Sequence, residues 1–179
     1  MRQNTTLIAT LLVACVNWCS AIEPEGLVQA KNQFAQLPDP TEADRQNYLL
    51  ELSKLRESLA EKAGSEDCFK VDAEIRQHPA PADTDRYTKL MIGKWSSPRH
   101  EYIYRADGTW SMLPEEEGAT KGSWRIEGNR FFNKADCQPG EASAYTILLL
   151  TNENFIFTDG DTVFYEERIR SNSDQDTRR

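Results

Sequence analysis

The dipeptide Arg99-His100 is the strongest catalytic candidate in this sequence, because an imidazole can act as a general base near neutral pH. A general base needs a positioned acid or nucleophile beside it. The chain has two histidines, and Glu101 falls on the opposite face of the strand that the alternation around His100 predicts. Gly-x-Ser-x-Gly, His-Glu-x-x-His and phosphate-binding glycine motifs are absent. We therefore expect no enzymatic activity, no cofactor and no metal site, with a small hydrolase using His100 as the minor alternative.

Cys68 and Cys137 are the two cysteines that remain if the chain is cleaved after Ala21, and an even number suits an oxidising compartment. A disulfide between them closes a loop of about 70 residues and stabilises the fold by up to roughly 4 kcal/mol in the chain-entropy model. It would join the helical part of the chain to the strand-rich part. We predict this disulfide; the alternative is that both cysteines are buried thiols.

The composition excludes several classes of partner. The chain has 179 residues, 39% hydrophobic and 28% charged, which is enough apolar material for one modest core. The formal net charge is −8, without a stripe of lysine and arginine. Nucleic acids and anionic membrane surfaces attract basic proteins, so neither is an expected partner.

The first 21 residues have the layout of a secretory signal peptide. An apolar run from Leu7 to Trp18 precedes a small-x-small site ending at Ala21, and the run is too short to span a bilayer. We predict export to the periplasm or the extracellular space as a soluble protein. The alternative is a lipoprotein, because residues 12–15 (LVAC) resemble a lipobox and Cys15 would then carry the lipid that tethers it to a membrane.

Residues 22–83 form a predicted helical segment. Thr41 and Asp44 have the spacing of an N-terminal capping box. The helix that follows carries an apolar stripe at steps of four, three and four residues: Tyr48, Leu52, Leu55 and Leu59. This stripe either packs on the rest of the chain or docks a protein partner.

The periodicity changes to two at Gly93 and stays so to Arg168. Seven short strands joined by tight turns predict an antiparallel meander, and a meander of this length closes to hide its edges. The predicted fold class is therefore α+β, with N-terminal helices packed on a small antiparallel meander β-barrel. The predicted organisation is a signal peptide at 1–21, helices at 22–83, the barrel at 84–170 and a disordered tail at 171–179.

Four sequence features, taken in their order along the chain, resemble those of one protein family. Residues 90–95 (LMIGKW) are a helix end running into Gly-x-Trp, 102–109 (YIYRADGT) an aromatic strand entering a hairpin, and 122–129 (GSWRIEGN) a second hairpin. A last strand ends in Arg168. Over residues 86–169 this order resembles the bacterial lipocalin-like domains, which are small calycin-type barrels.

The resemblance implies a barrel whose closed end is packed by Trp95 with Arg168 lying across it, a cation–π contact. Arg170 takes that role if the register slips by two residues. The resemblance also implies binding of a small apolar ligand, although strands this short leave open whether the interior is a pocket or is filled by its own side chains.

If a pocket exists, we expect some of the residues Tyr102, Tyr104, Trp110 and Trp124 to line it, with His100 at the mouth, because aromatic rings supply apolar surface with polar tips. The predicted function is an exported, non-catalytic binding or structural protein with a lipocalin-like barrel. The alternative is a protein–protein interaction or inhibitor module that uses the helical segment.

Overall fold

The computed structural model describes residues 23–62 and 65–170. The predicted signal peptide, Cys15 and the predicted tail lie outside these residues. The helices are α1 Glu25–Ala35, α2 Glu42–Lys62, α3 Ser65–Ile75 and α4 Thr84–Met91. The strands are β1 Gly93–Ser96, β2 Glu101–Tyr104, β3 Thr109–Leu113, β4 Lys121–Glu127, β5 Arg130–Ala135, β6 Ser143–Leu150, β7 Asn154–Thr158 and β8 Val163–Arg168.

The strands form a closed antiparallel barrel in sequence order, so the predicted α+β class and the meander topology are confirmed. The predicted number of strands is wrong by one, because the structure has eight. The missed strand is β1, Gly93–Ser96, which the sequence analysis assigned only to the Gly-x-Trp feature. It pairs with β2 on one side and with β8 on the other, where Trp95 lies opposite Arg168, and so it closes the sheet.

Helix α2 begins with the predicted capping box. The Thr41 backbone N–H donates to Asp44 Oδ2 at 2.9 Å, and the Asp44 N–H donates to Thr41 Oγ1 at 3.2 Å. The apolar stripe of α2 is not a free docking surface. Tyr48 and Leu52 are buried, and the stripe packs in one cluster with barrel residues from β6, β7 and β8.

Helix α4 covers one end of the barrel. Tyr87 and Met91 are buried with Trp95 in the core cluster inside the sheet, and the Trp95 indole N–H donates to the Met91 carbonyl at 2.8 Å. The predicted contact between Trp95 and Arg168 is present, with the guanidinium carbon 4.4 Å from the centre of the ring. Arg168 also donates to the carbonyls of Leu90 and Ile92, which are acceptors left unpaired at the end of a helix. One arginine therefore closes the barrel and caps α4.

Arg45 anchors α2 to the barrel. Its guanidinium donates to the carbonyl oxygens of His78 at 2.9 Å and of Leu148 in β6 at 2.7 Å, and it pairs with Glu42. These bonds connect three segments far apart in sequence.

Replacing Arg45 by methionine is expected to lower the free energy of unfolding by about 1 to 3 kcal/mol, because two carbonyls lose a charged donor. Urea unfolding measures the difference. The matched control is Lys54→Met on the exposed side of the same helix, for which we expect a change within about 0.5 kcal/mol. Equal effects of the two variants would show that Arg45 contributes no more than surface charge.

The predicted disulfide between Cys68 and Cys137 is not formed. Cys68 is buried in α3, where its thiol donates to the Arg56 carbonyl in α2 at 3.6 Å. Cys137 is exposed in the loop between β5 and β6. The helices are instead held to the barrel by the apolar cluster and by Arg45.

None of the helices in the described ranges combines the length and the apolar character that crossing a membrane requires.

Candidate functional site

The barrel encloses a cavity of about 660 Å³ that opens beside the turn at residues 97–100. Its volume answers the question that the short strands left open, because the interior is not filled by the side chains of the barrel. The turn between β1 and β2 and three residues of α2 form its mouth, and the interior faces of the strands form its wall. The lining residues are Ser53, Arg56, Glu57, Ser97, Pro98, Arg99, His100, Tyr102, Tyr104, Trp110, Phe131, Asn133, Tyr145, Phe157, Val163, Phe164, Tyr165 and Glu166.

The wall is mainly aromatic because alternate residues of a strand point to the same side of the sheet. Tyr102 and Trp110 meet edge to face with ring centres 5.9 Å apart, and Tyr145 and Phe157 do so at 5.2 Å. Phe157 also stacks on Phe164 at 5.1 Å. Edge-to-face and stacked pairs hold each ring in one orientation, so the wall is preorganised.

Three of the four sequence-predicted wall residues line the cavity, namely Tyr102, Tyr104 and Trp110, and His100 stands at its mouth. The fourth candidate, Trp124, is not among the lining residues. Its indole N–H donates to the carbonyls of Arg105 and Thr109, at the end of the barrel that α4 covers. Trp124 therefore packs the core and does not reach the cavity.

Glu166 is the most unusual residue of the cavity, and the sequence analysis missed it. The side chain lines the cavity and is only 7% exposed, yet its Oε2 accepts no hydrogen bond. Loss of hydration raises the pKa of Glu166 to about 8, because burial disfavours the charged carboxylate. The sequence signal was present in β8, where Glu166 lies between Phe164 and Arg168 on the inward-facing positions.

Two other polar groups of the wall also lack partners. Asn133 Oδ1 on β5 accepts no hydrogen bond, although it is buried. The Trp110 indole N–H is likewise unpaired and lies against the backbone of Gly122, where a side chain would not fit, since a Cβ would stand 2.8 Å from the nitrogen. Buried polar groups without a protein partner are rare in native proteins, so several in one cavity are candidates for hydrogen bonds to a ligand.

Tyr104 is close enough to Glu166 in the barrel for the charge of the carboxylate to act on its phenol. It is 2% exposed, and burial together with the charge of Glu166 raises the pKa of its phenol well above the usual value. The same two causes raise the pKa of Tyr102. Both hydroxyls stay protonated at neutral pH.

Helix α2 brings a charged network to the rim of the cavity. Arg56 Nε donates to Asp72 Oδ1 at 2.8 Å, and its guanidinium lies 4.7 Å from the centre of the Tyr165 ring. The Tyr165 hydroxyl donates to the same carboxylate oxygen at 2.6 Å. Arg56 is therefore engaged outside the barrel wall and does not neutralise Glu166.

His100 is exposed in the turn before β2, which corrects its predicted place on the strand itself. Its ring meets Tyr102 edge-on at 6.3 Å, and its backbone N–H donates to Ser97 Oγ at 3.1 Å. Within residues 23–62 and 65–170, no carboxylate forms a hydrogen bond to its imidazole, and no three metal-ligating side chains come together. The geometry provides nothing that would orient His100 as a base.

The chain matches no protein-family model, no curated protein and no solved structure.

Proposed function

We propose that this protein is an exported binding protein of the lipocalin-like type, whose barrel takes up a small apolar or aromatic ligand without covalent chemistry. The observation that carries the proposal is the cavity of about 660 Å³ with its aromatic wall. Ligand pockets are typically about 300 to 1,000 Å³, mostly apolar, with a few placed polar groups. This cavity has that size and that composition.

The arrangement of the two barrel ends also supports ligand binding. One end is covered by α4 and packed by Trp95 and Arg168, while the other opens at the turn 97–100. A cavity inside a barrel that is covered at one end removes much of a ligand's surface from water, and apolar burial is the main favourable contribution to binding. The alternative of a partner docked on the α2 stripe has less support, because the stripe already packs in one cluster with residues of α1, α3 and the barrel.

Titration with the fluorescent apolar probe N-phenyl-1-naphthylamine tests the proposal. We expect saturable binding of one probe per chain and quenching of tryptophan fluorescence, because Trp110 lines the cavity. The variant Asn133→Phe, which adds a ring inside the cavity, is expected to weaken binding at least about tenfold by occupying the same space.

The matched control is Ser123→Phe on β4, which adds the same ring to the exposed outer face of the barrel. It is expected to bind the probe like the unsubstituted protein. Circular dichroism verifies that both variants fold. Unsaturable probe binding, or equal binding by folded Asn133→Phe and Ser123→Phe, would reject the cavity as the site.

Export is the second part of the proposal and rests on the residues 1–21. Mass spectrometry of the mature protein tests it. Cleavage after Ala21 supports soluble export, and a diacylglyceryl group on Cys15 would establish the lipoprotein alternative instead.

A further inference from the structure

We propose that the barrel cavity is selective for an organic ammonium ion with an aromatic or apolar body, and that the Glu166 carboxylate is the acceptor of its N–H group. This inference rests on the proposed function and adds the chemical class of the ligand. It follows from three observations: the position of Glu166, the absence of a countercharge, and the rings that surround it.

The buried position of Glu166 destabilises the fold, and a ligand that binds its carboxylate would offset this loss. Within the described ranges, four buried side-chain polar atoms have no hydrogen-bond partner, and Glu166 Oε2 is the one that belongs to an acid. Burying an ionisable group without a partner opposes folding. An acid held in this position by the inward alternation of β8 is better explained by binding than by stability.

No cation in the described part of the chain forms an ion pair with Glu166. Arg168, two residues away on the same face of β8, donates to the carbonyls at the end of α4 and lies over Trp95. Arg56 at the rim is paired with Asp72. Among the described residues, therefore, none supplies a positive charge to the ionised form of Glu166.

The aromatic wall selects the same class of ligand. The faces of aromatic rings carry negative potential and attract organic cations, and Tyr102, Tyr104 and Tyr145 are lining residues of this kind. The second unpaired acceptor, Asn133 Oδ1, needs another donor. An ammonium group supplies an N–H donor and a positive charge to Glu166, whereas a neutral hydrocarbon leaves Oε2 unpaired and a carboxylate ligand would repel it.

Three probes with one naphthalene body separate charge from shape: 1-naphthylmethylamine, 1-ethylnaphthalene and 1-naphthylacetate. At about pH 8 we expect the amine to bind at least about tenfold more tightly than either of the others, a difference typical of one charge-assisted hydrogen bond. In Glu166→Gln the ratio of amine affinity to hydrocarbon affinity is expected to fall close to one. The matched control is Glu167→Gln, which removes the same charge from the exposed neighbouring position and should keep the ratio.

The amine must bind more tightly as the pH rises from about 6 to about 8, because Glu166 has to lose its proton before it can accept from a cation. The hydrocarbon should show no such dependence. His100→Gln serves as the control for the imidazole at the mouth. The titratable or charged groups that face the cavity besides Glu166 are Arg56, Glu57, Arg99, His100 and the tyrosines of its wall.

The outcomes are distinguishable from failure of the proposed function. If the hydrocarbon binds and the amine has no advantage, or if Glu166→Gln keeps the advantage, the ammonium proposal is wrong while the cavity remains a binding site. If naphthylacetate binds most tightly, the charge of Arg99 at the mouth governs selectivity and the proposal is also wrong. If none of the three binds, both proposals fail.

Discussion

Trp95→Ala is expected to lower the free energy of unfolding by about 3 to 5 kcal/mol, the usual loss when a fully buried tryptophan is truncated to alanine. The side chain is 0% exposed and packs against Phe155 with ring centres 5.9 Å apart. The substitution also removes the indole hydrogen bond to the Met91 carbonyl and the ring beneath Arg168. The covered end of the barrel would lose its central packing residue, and urea unfolding measures the result.

The matched control is Ile92→Ala, since Ile92 is an exposed apolar residue between α4 and β1. We expect a change within about 0.5 kcal/mol there. A double-mutant cycle with Arg168→Met separates the contact between Trp95 and Arg168 from the other interactions of Trp95. We expect a coupling free energy between the two residues of about 1 to 2 kcal/mol, as for a desolvated cation–π pair. A loss in Trp95→Ala no larger than in the control would contradict the role assigned to Trp95.

Glu166→Gln is expected to make the folded state more stable, and increasingly so as the pH rises. Burial raises the folded-state pKa of Glu166 from its ordinary value of 4.5 to about 8, so between these values the folded protein holds a proton that the unfolded chain releases. This contribution to stability is fully present below the unfolded pKa and declines as the pH approaches the folded pKa. Glutamine is nearly isosteric with glutamate and does not titrate, so the Glu166→Gln variant lacks this decline in stability.

Between about pH 5.5 and about pH 7.5 the stability of the unsubstituted protein should fall by about 2 to 3 kcal/mol relative to the Glu166→Gln variant. Urea unfolding of both proteins at several pH values gives the difference, in which the titration of all other groups cancels. Glu167→Gln on the exposed face is the control and should show no comparable trend. Parallel pH profiles for Glu166→Gln and the unsubstituted protein would mean that water hydrates Glu166 in the folded state.

Together with the probe titrations, this measurement separates two roles for Glu166. A residue kept for stability would destabilise the fold when replaced by its neutral isostere. A residue kept for binding is expected to stabilise the fold when replaced and to abolish selectivity for the amine. Such an exchange of stability against activity is common at binding sites.

The sequence by itself determined the local structure well, because local structure depends on residues close in the chain. The capping box of Thr41 and Asp44, the stripe that places Tyr48 and Leu52 inward and the alternation that defines the barrel strands all follow from short spacings. The contact between Trp95 and Arg168, which the lipocalin-like resemblance implied, is also present.

Only the tertiary structure decided which aromatic residues line the cavity and which pack in the core. Trp110 and Trp124 stand in equivalent strand alternations, but Trp124 is bonded to carbonyls near the covered end while Trp110 borders the cavity. The volume of the cavity depends on how eight strands close, which no spacing encodes. The tertiary structure also decided that Glu166 is a buried acid without a hydrogen-bond partner for its Oε2. The alternation put Glu166 inward, but whether a countercharge meets it depends on Arg168 and Arg56, and closure of the barrel commits both of them elsewhere.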